Sequence, residues 1–131
     1  MPRIGHIILN VSNFEQSELF YDRLLLPIGF HIDHREQDEL GAAKSYRSGE
    51  HNFWIRWDSA IPHNDFVRDI GLDHLAFFVD TKEAVDTVFA ERKAMGAHIS
   101  REPKGYPEYS ATYYAFYFRD PDGILLEIAF E

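Results

Sequence analysis

The sequence predicts an α+β fold made of two tandem βαβββ modules, whose strands form a cup-shaped, eight-stranded mixed sheet with the two helices outside. Three observations carry that expectation. A β-rich stretch with one histidine and an amphipathic helix occur twice in the same order, at Arg3–Leu24 and again from Leu72 to Gly96. Gly29-Phe30-His31-Ile32 is echoed by Gly96-Ala97-His98-Ile99. His6 maps onto His74 at an offset of 68 (74 − 6) and Gly29 onto Gly96 at 67 (96 − 29), so one single-residue gap separates the two matches. The 131 residues then read as one domain, with module one at about 1–60 and module two at about 70–131.

Each element has a local reason. Arg3–Val11 is rich in β-formers. Ser12 with Glu15 three residues later has capping-box spacing, and Leu19, Phe20 and Leu24 recur at helical intervals before Pro27 stops the helix. Ala43–Arg47 and Asn52–Trp57 form a hairpin around Ser48-Gly49-Glu50, and Asp58–Ile70 is a polar connection. In the second half Leu72–Val79 is a strand. Asp80 or Thr81 caps a helix carrying Ala84, Val85, Val88 and Phe89 on one face, which closes at Gly96. Lys104–Tyr109 reads as a loop ahead of the seventh strand. The aromatic run Thr112–Phe118 then breaks on Asp120-Pro121-Asp122-Gly123, where Pro fixes one φ and Gly accepts a positive one. The strand that follows holds a single carboxylate, Glu127, between Leu126 and Ile128.

Composition narrows the function. A formal charge of −9 with no Lys/Arg cluster argues against nucleic-acid and anionic-membrane partners. The absence of cysteine removes disulfides, thiolate zinc sites and a thiol nucleophile. No apolar run reaches the length of a spanning helix, and Met1-Pro2-Arg3 runs straight into a strand, so a soluble cytoplasmic protein is expected. Hydrophobic content of 45%, with 15% aromatics, is ample for a packed interior.

The repeat selects the candidate site. Four related positions hold His6, Ile55, His74 and Glu127 when Phe118-Arg119 is laid on Tyr46-Arg47. One strand histidine is more often a hydrogen-bonded surface residue than a ligand. Two imidazoles and a carboxylate at related places in a repeat are a far more specific signal: a 2-His-1-carboxylate set able to hold Zn, Fe, Mn or another divalent ion with positions left open for substrate. Strand alternation puts Ile4, Ile8 and Asn10 with His6, Leu72, Ala76 and Phe78 with His74, Leu125 and Ala129 with Glu127, and Phe53 and Trp57 with Ile55. Such an apolar, aromatic lining suits a small organic molecule. Tyr109, Tyr113, Tyr114 and Arg56 are candidates to orient it.

These residues resemble the vicinal oxygen chelate superfamily, the glyoxalase/bleomycin-resistance/dioxygenase group, over nearly the whole chain. The match rests on Gly5–Val11, Phe20-Tyr21, Leu72–Phe77, and Asp120-Pro121-Asp122-Gly123 through Glu127. The resemblance implies paired βαβββ modules, a homodimer, and a divalent metal (Zn, Fe, Mn or Ni) on His6, His74 and Glu127, with Glu127 also the catalytic carboxylate. Substrate contacts are expected from Phe53, Trp57, Arg56, Tyr114 and Asn10. The implied function is a metal-dependent lyase, isomerase or oxygenase that chelates the oxygens of a small substrate. A metal-free small-molecule or drug-binding protein of the bleomycin-resistance type is the alternative. Glyoxalase I carries one more glutamate, where this chain has Ile55. Fosfomycin-modifying enzymes carry basic residues beyond the last glutamate, where only Ile128–Glu131 follow, and typical extradiol dioxygenases have four modules rather than two.

Overall fold

The computed structural model describes residues 1–131, which divide into two compact units, Met1–Asn64 and Asp65–Glu131. The first contains β1 (Ile7–Asn10), α1 (Phe14–Leu25), β2 (His31–Gln37), β3 (Gly41–Ser48) and β4 (His51–Asp58). The second repeats that order as β5 (Leu75–Phe78), α2 (Lys82–Ala94), β6 (Ile99–Gly105), β7 (Tyr114–Arg119) and β8 (Leu125–Phe130). The eight strands are shared between two four-stranded sheets, ordered β1-β4-β3-β2 and β5-β8-β7-β6. Each is mixed, with β1 parallel to β4 and β5 parallel to β8. The βαβββ duplication is therefore present element for element. No helix is long and apolar enough to cross a membrane.

Helix α1 starts one residue later than the capping-box spacing suggests. Asn13, not Ser12, is the cap, and its Oδ1 accepts from Gln16 N at 3.0 Å. The buried stripe is Phe14, Ser17, Phe20, Tyr21, Leu24 and Leu25, which leaves Leu19 half in solvent. Tyr21 meets the ring of Phe53 at 5.3 Å, tying the helix to β4. A polar clamp ties it to β3. The buried Lys44 ammonium donates to Glu18 at 3.0 Å and Asp22 at 2.9 Å, and the Tyr46 hydroxyl donates to Asp22 at 2.8 Å. Burial, followed by the Asp22 carboxylate, pushes the Tyr46 phenol far above its ordinary range.

The Glu18 carboxyl is held below its ordinary value of 4.5, chiefly by the hydrogen bond from Arg35 and further by Lys44. A depressed carboxyl contributes stability above its unfolded pKa and loses it as pH falls through the folded one. Comparing urea midpoints of wild type and Glu18→Gln between pH 7 and 3 checks this. The wild-type advantage should be constant at neutral pH and decline from about pH 4.5 downward. A gap that widens on acidification would contradict the assignment.

In the second unit Thr81 caps α2, its Oγ1 accepting from Ala84 N at 3.0 Å. Val85 and Val88 are buried, and Phe89 sets its edge on Phe116 at 5.5 Å. Phe116 in turn stacks on Phe118 at 4.9 Å, so alternate residues of β7 form the core against the helix. The Asp120–Gly123 turn closes as its residues predict. Asp120 Oδ1 accepts from Asp122 N and Ile124 N, both at 2.9 Å, and Gly123 sits at φ +90°, where a side chain would be strained.

Candidate functional site

Each sheet has one face under its own helix and a far face directed away from it. In β8, Leu126 and Ile128 belong to the helix side, since they pair with Leu75 and Phe77. Glu127 pairs with Ala76 and lies on the far face with His74, which directly precedes β5. The strand pairing thus brings together the two donors the repeat singled out. His74 Nε2 is 3.0 Å from Glu127 Oε1.

Around that pair the far face is built from tyrosines. Tyr117 pairs directly with Glu127 across β7 and β8. Tyr113, four residues earlier and of the same parity, donates its hydroxyl to Glu127 Oε2 at 2.5 Å. Burial first, then the Glu127 carboxylate, pushes both phenols well above their ordinary values, so they remain hydrogen-bond donors through the neutral range. The loop from β6 to β7 closes the side: Tyr106 N donates to Tyr113 O at 2.9 Å, and Tyr106 packs over Ala115 and Ala129. Glu127 is left only 2% exposed. At the other end of the pair, Asp73 Oδ1 sits 2.6 Å from His74 Nδ1, and Arg68 Nε lies 3.5 Å from Asp73 Oδ2. The His74 contact is the main cause of a lowered Asp73 carboxyl.

This donor set fits a divalent cation. An imidazole nitrogen and a carboxylate oxygen are ligand types shared by Zn, Fe, Mn and Ni. Their 3.0 Å separation matches the edge of an octahedral shell with bonds of about 2.1 Å. These are the two donors brought together here; no group of three or more Asp, Glu or His side chains that could hold a metal ion is formed.

The first unit presents the remaining expected residues. His6 is exposed just ahead of β1, in the place His74 holds ahead of β5. Asn10 and Arg56 pair across β1 and β4 on the far face. Arg56 reaches Asp58 at 3.3 Å and, with Trp57, lines an open depression of about 420 Å³ that also includes Glu36, Asp38 and Asp58.

Two expected substrate contacts lie elsewhere, and a third is divided. Phe53 is buried under α1 against Tyr21, while Trp57 shares its strand parity yet stays partly exposed in the depression. Tyr114 turns to α2, donating to Asp86 at 2.6 Å, a bond that pushes its phenol up to about 12. The physical reason is register. Ile8 pairs with Trp54 as Ala76 pairs with Glu127, so the first-unit counterpart of Glu127 is Trp54, not Ile55. Ser45 pairs with Trp54, nine residues on (54 − 45), whereas Tyr117 pairs with Glu127, ten residues on (127 − 117). That difference slips the apparent alignment by one residue, and a one-residue slip exchanges the two faces of a strand. Ile55 belongs to the core, fully buried, while the Trp54 indole donates to Asn52 Oδ1. No carboxylate occupies the fourth position in either register.

Tyr117, Asp73 and Tyr106 were not singled out from sequence, and Tyr113 was only one of several orienting candidates. A signal for the first was present: in Tyr113–Phe118 the phenylalanines take one parity, Phe116 and Phe118, and Tyr113 and Tyr117 the other. Residues 3–128 match the model of the Glyoxalase/Bleomycin resistance protein/Dioxygenase superfamily. No curated protein matches the chain. Among solved structures, a glyoxylase/bleomycin resistance protein/dioxygenase domain from Frankia sp. EAN1pec is 21% identical with a TM-score of 0.81, the match covering 99% of this chain and 98% of that one. A glyoxalase/bleomycin resistance protein from Albidiferax ferrireducens T118 is 26% identical, covers 98% of both chains and has a TM-score of 0.74. FosX, a genomically encoded fosfomycin resistance protein from Listeria monocytogenes complexed with Mn(II) and sulfate, is 19% identical over 100% of this chain and 93% of its own, with a TM-score of 0.71.

Proposed function

The chain belongs to the glyoxalase/bleomycin resistance protein/dioxygenase superfamily, and we propose that it is a metal-dependent enzyme acting on a small oxygenated organic substrate. Its divalent ion (Zn, Fe, Mn or Ni) would be held by His74 and Glu127; His6, at the equivalent place in the first unit, is the third donor that the family resemblance implies. The observation that carries this reading is the 3.0 Å approach of His74 Nε2 and Glu127 Oε1 beside two phenols that keep the carboxylate in place. That FosX, of the same fold, is complexed with Mn(II) is compatible with this reading. When bound, the ion supplies Lewis acidity to substrate oxygens.

The chain's own residues do the rest. Glu127 is the one carboxyl group buried at the site. Tyr117, hydrogen-bonded to it, helps hold the carboxylate, and Phe78 and Tyr109 offer an apolar flank. With Trp54 in the fourth position, a glyoxalase I-type isomerisation lacks its usual carboxylate base, which favours a lyase or oxygenase. A homodimer in the cytoplasm completes the reading.

One observation favours a second reading, a metal-free protein that sequesters a small apolar or cationic compound: Phe78 and Tyr109 are 60% and 65% exposed on the far face. Elemental analysis of untagged protein, wild type beside His74→Ala, decides between them. The enzyme reading expects about one ion per wild-type chain and almost none in the variant. Wild type that stays empty after reconstitution with each of the four metals rejects it in favour of the binding protein.

A further inference from the structure

We infer that Asp73 and Tyr113 are positioning residues that commit His74 through Nε2, and Glu127 through Oε1, to a divalent cation. This rests on the metal reading of the site. Neither residue is a ligand; each acts by occupying the other atom of its partner.

The argument is one of hydrogen-bond accounting. A neutral imidazole carries a single N–H. Asp73 Oδ1 lies 2.6 Å from Nδ1, so the N–H of an imidazole that binds a cation through Nε2 has its acceptor in place, while Nε2 itself lies 3.0 Å from Glu127 Oε1. The other carboxylate oxygen is already engaged, because Tyr113 donates to Oε2 at 2.5 Å. Glu127 is therefore biased toward binding through Oε1 alone, which keeps coordination positions open for substrate. Both partners are themselves fixed. Arg68 lies 3.5 Å from the second oxygen of Asp73. The Tyr113 ring is wedged edge-on against Tyr106, Tyr109 and Phe78, at 6.2, 5.3 and 6.2 Å. Partners that orient ligands in this way commonly change metal affinity by about 10–100-fold.

The test measures Mn(II) and Zn(II) dissociation constants by competition with a chromophoric chelator for wild type, Asp73→Asn and Tyr113→Phe. Thermal melts of the metal-free proteins verify folding. Affinity should fall about 10–100-fold in each variant. The ¹⁵N shifts of His74 should also differ between wild type and Asp73→Asn, a change that a purely structural role for this exposed side chain would not produce. Tyr113→Phe should also alter the Co(II) absorption spectrum as Oε2 becomes free to bind. Wild type that binds ions while both variants stay within about twofold of it would overturn the inference and leave the metal reading standing. Wild type that binds none would overturn both.

Discussion

Replacing Glu127 with alanine is expected to weaken divalent-metal binding by more than about 100-fold, beyond what loss of a ligand's orienting partner costs. The side chain supplies the one anionic donor of the proposed set and is only 2% exposed, so water reaches the vacated space poorly. Glu127→Gln sharpens the test. The amide keeps the shape and can still accept from the partly buried Tyr113 hydroxyl, which spares it the roughly 1 kcal/mol of a lost hydrogen bond. It lacks the negative charge a divalent ion requires. Both variants should melt cooperatively and lose metal, the glutamine variant with the smaller change in stability. Retention of stoichiometric metal in either would remove Glu127 from the ligand set.

The largest effect on stability is expected one strand away and on the opposite face. Phe116→Ala should lower the unfolding free energy by about 3–5 kcal/mol, a large share of what a small domain has. The ring is fully buried, stacked on Phe118 and meeting the edge of Phe89 from α2, so truncation removes packing on both sides and opens a cavity the helix and sheet can only partly close. Urea denaturation measures it. Tyr117→Phe, the next residue, loses one hydroxyl and no ring, and should cost about 1 kcal/mol or less. Equal losses at the two positions would mean that strand alternation does not divide β7 into a packing face and a site face.

Much of the architecture was legible because local chemistry and global pattern agree. Thr81, Gly123 and the Asp120 turn each do what their residue types favour, and the repeat was visible through His6, His74 and the two Gly-x-His-Ile segments. The pair His74 and Glu127 was legible for the same reason. What was not legible depended on register. Phe53, Trp57 and Ile55 were correctly grouped by alternation but placed on the wrong face, since nothing in the residues of β4 states that its hairpin is shorter than that of β8. Tyr114 was misread for a related reason: in an unbroken aromatic run, parity is decided by the partner strand. Asp73 was overlooked because an acidic residue beside a histidine, exposed in the folded chain, looks like ordinary surface charge until its 2.6 Å contact is seen.

The placement of β8 inside its sheet, flanked by β5 and β7, bears on how the site breathes. Backbone in an interior strand is released only when a whole unit opens, whereas the end of an edge strand frays by itself. Glu127 belongs to the first kind and His74, one residue ahead of the edge strand β5, to the second. The carboxylate is thus the anchored half of the pair and the imidazole the hinged half. Local opening of the chain around His74 is therefore expected on a timescale far shorter than unfolding, with Glu127 held in its place throughout.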